Sequence, residues 1–160
     1  MKKILIVSDT HKSHKNLEKV LEQNRDIDMM IHLGDVENAE DYIRVLAGCP
    51  THFVAGNNDF FSDLPSEEDF FVEGYHIFIT HGHYYYVGAG ESRLKDEAIS
   101  RGADIVMYGH THRPSVTSED GVMILNPGSI SYPRQEGRRA SYIMLEIDES
   151  GEMSAAIKYI

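Results

Sequence analysis

Apolar residues in this chain come in short unbroken runs, most of which stop at a glycine, serine or histidine. Ile4 to Val7 is continuous in apolar side chains, as expected of a strand covered on both faces. Asp28 to Leu33 and Thr51 to Ala55 repeat that pattern. Between these runs the spacing is helical: Leu17, Val20 and Leu21 follow a capping Ser13 and stop at Asn24, and Ala39, Ile43 and Leu46 follow a capping Asn38. Gly48 then stands where a left-handed residue usually ends a helix. Strand, helix, strand, helix, strand is the order of a parallel sheet with crossover helices.

Phe60 to Glu68, with proline and acidic residues, reads as loop. Phe70 to Glu73 and His76 to Thr80 predict a hairpin around Gly74-Tyr75. A third helix is predicted over Glu91 to Arg101, with Leu94 and Ala98 facing inward and Gly102 after it, and Ile105 to Tyr108 follows as a buried strand. From Pro114 onward, Ser115 to Thr117, Val122 to Leu125, Tyr142 to Ile147 and Met153 to Tyr159 are short strands between polar turns, which predicts an antiparallel meander added to the parallel half. A length of 160 residues with 41% hydrophobic predicts one domain over 1–160, built on one core.

A formal net charge of −11 argues against a nucleic-acid or anionic-membrane surface, since both need basic patches. It suits a protein that holds divalent cations, and equally one that is simply well solvated. Cys49 is the only cysteine, so neither a disulfide framework nor a thiolate metal cluster is available, and its expected role is packing. The start, Met1-Lys-Lys-Ile-Leu-Ile-Val7, is like a secretion signal, but the apolar run stops at Ser8-Asp9 with no cleavage site, so a cytoplasmic location is expected. No run reaches transmembrane length.

The ends of the strands carry the chemistry. Ser8-Asp9-Thr10-His11, Gly34-Asp35, Gly56-Asn57-Asn58-Asp59, His81-Gly82-His83 and Gly109-His110-Thr111-His112 each place a metal-capable side chain where an apolar run ends. In open α/β sheets the ligand crevice lies beyond the carboxyl ends of the strands, so these loops should converge. Gly109 should let its loop turn sharply and present both following imidazoles together. Asp9, His11, Asp35, Asn57, His81, His110 and His112 make a ligand set too large for one ion and suited to two sharing a carboxylate. Asp35 is the expected bridge, because a carboxylate has two oxygens and an imidazole one lone pair. Nitrogen and oxygen donors suit manganese, the first expectation, and equally nickel, iron, cobalt or zinc.

The order Asp-x-His, Gly-Asp, Gly-Asn-x-Asp, His-Gly-His, Gly-His-x-His resembles the calcineurin-like metallophosphoesterases. The short length and the turn Leu125-Asn-Pro-Gly-Ser129 are similar to small phosphodiesterases of the YfcE type. The resemblance implies a four-layer α/β/β/α sandwich of two mixed β-sheets flanked by helices. It also implies one metal on Asp9, His11, Asp35 and His112, and a second on Asp35, Asn57, His81 and His110. The activity it implies is hydrolysis of a small phosphodiester by a metal-bridging hydroxide attacking phosphorus in line, with no protein base. A possible homo-oligomer follows from the same resemblance. Two other uses of the fold stay open, a protein-binding scaffold of the retromer-subunit type and a nuclease, the latter disfavoured by the missing basic groove.

One residue departs from the pattern. The wider superfamily usually has histidine after the metal-binding asparagine, and the YfcE-type group often cysteine, where this chain has Asn58. An amide can donate a hydrogen bond to a phosphoryl oxygen but cannot give up a proton. Asn58 is therefore expected to favour diesters with good leaving groups, unless His83 or His14 supplies the proton. Asp59 is expected to steady a ligand or cap the turn, His32 to pack, and His52 and His76 to lie on strands or at the surface. Arg113 and Arg134 can contact a phosphate or serve as solvated counter-charges. Phe60-Phe61 and Tyr84-Tyr85-Tyr86 can line a rim, a subunit contact or the core.

Overall fold

In the computed structural model, which describes residues 1–160, the first apolar run is strand β1, Lys2–Val7, with Ile4 to Val7 all fully buried. Ile4 and Ile6 face one way and Leu5 and Val7 the other, and they enter two different cores. That is why the run does not alternate with polar residues. Strands β2 (Met29–His32) and β3 (Thr51–Phe53) lie parallel beside β1, and helices α1 (Lys15–Gln23) and α2 (Glu40–Ala47) make the crossovers. Strands β4 (Glu67–Val72) and β5 (Tyr75–Thr80) form the expected hairpin. Helix α3 (Ser92–Arg101) leads into β6 (Ile105–Met107), parallel to β5.

The second half departs from the meander. Strands β7 (Pro114–Glu119) and β8 (Val122–Pro127) are a hairpin, but β8 runs parallel to β6, giving the sheet order β4-β5-β6-β8-β7. Strands β9 (Ser141–Ile147) and β10 (Met153–Tyr159) are a second hairpin, and it joins the other sheet in the order β10-β9-β1-β2-β3. The physical reason is burial. Val122, Ile124, Leu125, Asn126 and Pro127 are all buried, which an open meander with a wet face would not allow. Apolar periodicity shows that a strand exists and is silent about its neighbour.

Three cores define four layers. Between the sheets lie Ile4, Ile6, Ile31, Ile77, Ile79, Ile105, Leu125, Ile143 and Leu145, supplied by both. The outer face of the first sheet, with Leu5, Val7 and Met30, is covered by Leu17, Val20 and Leu21 of α1 and Ile43 of α2. Phe78, Val106 and Ile124 on the outer face of the second are covered by Leu94 and Ala98 of α3. The expected α/β/β/α sandwich is therefore the fold.

Both anticipated glycine stops, Gly48 and Gly102, are left-handed, at φ 64° and 72°. The helix starts differ from expectation: His14 and Ala39 occupy the capping positions with no side-chain cap, in place of Ser13 and Asn38. The loops just before them dictate this, since Lys12, Glu37 and Asn38 take positive φ to turn the chain back from the strand ends. Strand β4 also begins earlier than its apolar pattern, because Glu67 and Glu68 pair with Thr80 and Ile79. No helix is long and apolar enough to cross a membrane.

Candidate metal centre

β1, β2 and β3 are mutually parallel, as are β5, β6 and β8, and the loops that leave these strands meet at one end of the molecule. Backbone bonds tie them together: Asp9 N–H donates to the Gly34 carbonyl at 3.0 Å, His11 N–H to Asp35 at 3.1 Å, and Gly109 N–H to His81 at 3.0 Å. The expected convergence is present. Asp9, His11, Asp35 and His112 offer ligand atoms that all lie within 4.8 Å of one another. His81 Nε2 approaches Asp35 Oδ2 at 3.4 Å and Asp9 Oδ1 at 3.7 Å, and His110 Nδ1 lies 3.2 Å from Asn57 Oδ1.

This packing strains the backbone. Asp9, His11, Asp35, His110 and His112 all have positive φ, between 45° and 69°. Non-glycine residues rarely adopt that conformation, at a cost of order 1–3 kcal/mol each, and such strain concentrates at functional sites. Gly109 is the correction to the sequence reading. The sharp turn falls on His110 and His112, whereas Gly109 is needed because a Cβ there would stand 2.0 Å from Ser8 Oγ and 2.8 Å from Asp9 Oδ2. Gly56 serves Asp35 the same way, since its Cβ would meet Asp35 Oδ1 at 2.2 Å.

The donor set fits divalent cations. His81 Nδ1 bonds the Leu33 carbonyl and His112 Nδ1 the Tyr132 carbonyl, each at 2.6 Å, while His11 Nδ1 lies 3.3 Å from Glu37 Oε2. A carbonyl accepts only a proton, so the Nδ1 of His81 and of His112 is protonated and the Nε2 lone pair is turned inward; such outer partners orient metal-binding imidazoles. Asp9 Oδ1 and His81 Nε2 are buried without any hydrogen-bond partner, an arrangement that needs a ligand for its compensation. The electrostatics agree. Burial works to raise the Asp9 carboxyl, but His11 and His112 beside it hold it well below the usual range. Burial likewise opposes Asp35, and His81 overcomes it. His11 is raised by Asp9, and His81, against its burial, by Asp35. Two buried carboxylates thus demand positive charge at one point.

Other residues brace the loops. Asp59 accepts from the N–H groups of Asp35, Gly56 and Glu37 at 2.8, 2.7 and 2.6 Å, so it fastens two loops together. The Asn58 side chain donates to Asp35 Oδ2 at 3.1 Å and is engaged with that carboxylate. His83 sits beside His81 and His110, with ring centroids 5.3 and 6.1 Å away, and its Nδ1 is buried without a partner. His14 lies apart from these rings and packs on Tyr42. Phe60, Phe61, Tyr84 and Tyr86 are exposed. Sequence reasoning missed two supports and gave His32 a packing role alone. His32 is fully buried under the Asp35 loop, Asn126 Nδ2 donates to Thr111 Oγ1 at 2.9 Å, and Ser129 Oγ donates to the Asp9 carbonyl at 2.8 Å. The turn Asn126-Pro-Gly-Ser129 carried the only signal, as the end of one more parallel strand.

Two mixed sheets flanked by helices, with a carboxylate and imidazole cluster at their shared carboxyl end, define a metallophosphoesterase fold. The calcineurin-like phosphoesterase superfamily domain matches residues 1–150, and the chain belongs to that superfamily. It is 32% identical over 146 residues to the probable metallophosphoesterase YsnB of Bacillus subtilis, covering 91% of this chain and 84% of that one. It is 29% identical over 173 residues to phosphodiesterase YfcE of Escherichia coli, covering 92% and 89%. Among solved structures, a conserved uncharacterized protein of Streptococcus pneumoniae aligns with TM-score 0.82 and 28% identity over 99% of this chain and 98% of that one. Vps29 of Entamoeba histolytica complexed with zinc aligns with TM-score 0.79 and 21% identity over 98% of each chain, a likeness of fold.

Proposed function

We propose that this chain is a metal-dependent phosphodiesterase for small diesters, with Asp9, His11, Asp35 and His112 holding one divalent cation and Asp35, Asn57, His81 and His110 a second. The observation that carries this reading is the pair of buried, partnerless atoms, Asp9 Oδ1 and His81 Nε2, pointing into a cluster of carboxylates and imidazoles. Bound cations would supply an acidified water nucleophile and would neutralise charge on the phosphoryl oxygens. The chain's own part is to hold donors rigidly, through Asp59, Asn126 and Ser129, so that little reorganisation is needed during reaction. His83, next to the centre, would be the residue to contact a leaving oxygen. Asn58, bound to Asp35, steadies that carboxylate and would reach substrate only by turning away from it.

The name of YfcE and the superfamily match support an esterase reading over a scaffold. The Vps29 likeness, with the exposed Phe60, Phe61, Tyr84 and Tyr86, keeps protein binding as the second reading. The test is hydrolysis of bis-(p-nitrophenyl) phosphate against p-nitrophenyl phosphate by metal-stripped protein, with manganese, nickel or zinc restored. Diester cleavage that needs metal and exceeds monoester cleavage is expected. Asp35→Asn, isosteric but uncharged, should remove at least nine-tenths of it, roughly 1.4 kcal/mol or more of barrier. Full activity in that variant would sink the bridging role. Inertness with every metal would put the scaffold reading first.

A further inference from the structure

Beside the candidate metal centre runs a groove of about 770 Å³, with His110, Thr111, Arg113 and Arg134 among its lining. That volume suits an ester arm the size of a nucleotide or sugar phosphate. Two of its lining residues are cations. In a chain of net charge −11, carboxylates are plentiful, and Arg101 alone pairs with Glu67, Asp69 and Glu97. Arg113 and Arg134, both exposed, form no ion pair, as holds for every arginine of the chain except Arg101, so no carboxylate engages either guanidinium. The carboxylate among the lining residues, Glu91, already accepts the Tyr108 hydroxyl at 2.6 Å.

Their backbones are fixed to the centre itself. Arg134 N–H donates to the His112 carbonyl at 3.0 Å, and Arg113 N–H to Thr111 Oγ1 at 3.3 Å. The same hydroxyl takes the Asn126 bond. Two arginines that line the groove are thus rooted at a set distance from the candidate ligands. Planar guanidinium forks match phosphate and carboxylate oxygens.

We propose that this groove binds a second anionic group of the substrate, a phosphate or carboxylate on one ester arm, through Arg113 and Arg134. The proposal rests on the phosphodiesterase reading for its first anionic group, the phosphodiester at the metals. It narrows the substrate class to small diesters with a further oxyanion. In a strongly acidic protein it also explains how an anion is drawn to this face.

The experiment is calorimetric titration of manganese-loaded protein with thymidine 5′-monophosphate and with thymidine 3′,5′-bisphosphate. The bisphosphate should bind at least tenfold more tightly, and the ratio should fall to within about twofold in the double variant Arg113→Gln, Arg134→Gln. The double variant Arg138→Gln, Arg139→Gln, equal in charge but outside the groove, should keep the ratio. A ratio near one in the unmodified protein overturns the proposal, as does its survival in the groove variant or its loss in the control. Bis-(p-nitrophenyl) phosphate hydrolysis on the same sample separates the two readings. An inert protein that keeps the arginine-dependent ratio loses the esterase reading and retains the anion groove; an active protein without the ratio does the reverse.

Discussion

His32 shows how a single residue outside the ligand set can govern the centre. Its Nδ1 accepts the Gly34 N–H at 3.2 Å, so its proton is on Nε2, which faces Thr10 Oγ1 at 3.1 Å; that hydroxyl donates in turn to the Asp35 carbonyl. The neutral ring satisfies every bond, and a second proton would have no acceptor. Burial accordingly pushes its pKa down from 6.5 to about 3. Because the folded value lies below the unfolded one, the unfolded chain binds the extra proton first. Stability from this group is complete above about pH 6.5 and is lost as pH falls toward 3, by up to about 4–5 kcal/mol. In chelator-treated protein, urea unfolding at pH 7 and 4.5 should show His32→Asn losing about 2–3 kcal/mol less than the unmodified chain over that interval. Equal losses would count against a neutral buried His32. The sequence reading had His32 as packing, which is half of its role; the hydrogen-bond chain through Thr10 exists only once β1 and β2 lie side by side.

Among the elements, the strand-end loops show which features were legible. Asp9, His11, Asp35, Asn57, His81, His110 and His112 could each be picked out because each follows an apolar run. That Asp59 would fasten two loops depended on β2 and β3 lying side by side, and that Asn126 and Ser129 would brace a third and fourth depended on β8 joining β6 in parallel. Glycine gives a test at this scale. Gly109→Ala drives a methyl into Ser8 and Asp9 and should cost about 2–3 kcal/mol of stability while weakening metal binding tenfold or more. At Gly48 a methyl meets nothing within 4 Å, so Gly48→Ala should cost about 1 kcal/mol from its left-handed backbone and leave metal affinity alone. Denaturant unfolding and metal titration of both variants check the contrast; similar metal affinities in the two would refute the role given to Gly109.

At the scale of the whole molecule, three apolar cores hold a rigid frame, and the backbone strain is densest at the end where acidic and imidazole groups crowd, with Glu73, Asp120 and Arg138 strained in turns elsewhere. Cations that bind only the folded centre should therefore stabilise the entire fold. At a hundred times Kd the gain is about 2.7 kcal/mol per site, or roughly 5–10 °C in Tm. Chelation should reverse that gain in calorimetry, and Asp35→Asn should abolish it; a Tm indifferent to metal would contradict the centre. The sequence alone determined which segments are strands and helices, where most helices stop, and which seven metal-capable side chains follow the strands, since apolar periodicity and residue chemistry are local properties. Tertiary structure decided how the last four strands divide between two sheets, which backbones carry the strain, and that Arg113 and Arg134 share a groove with His110. Those outcomes depend on contacts between residues a hundred or more positions apart, such as His11 with His112 at 3.3 Å, and pairing of that range leaves no period in the chain to read.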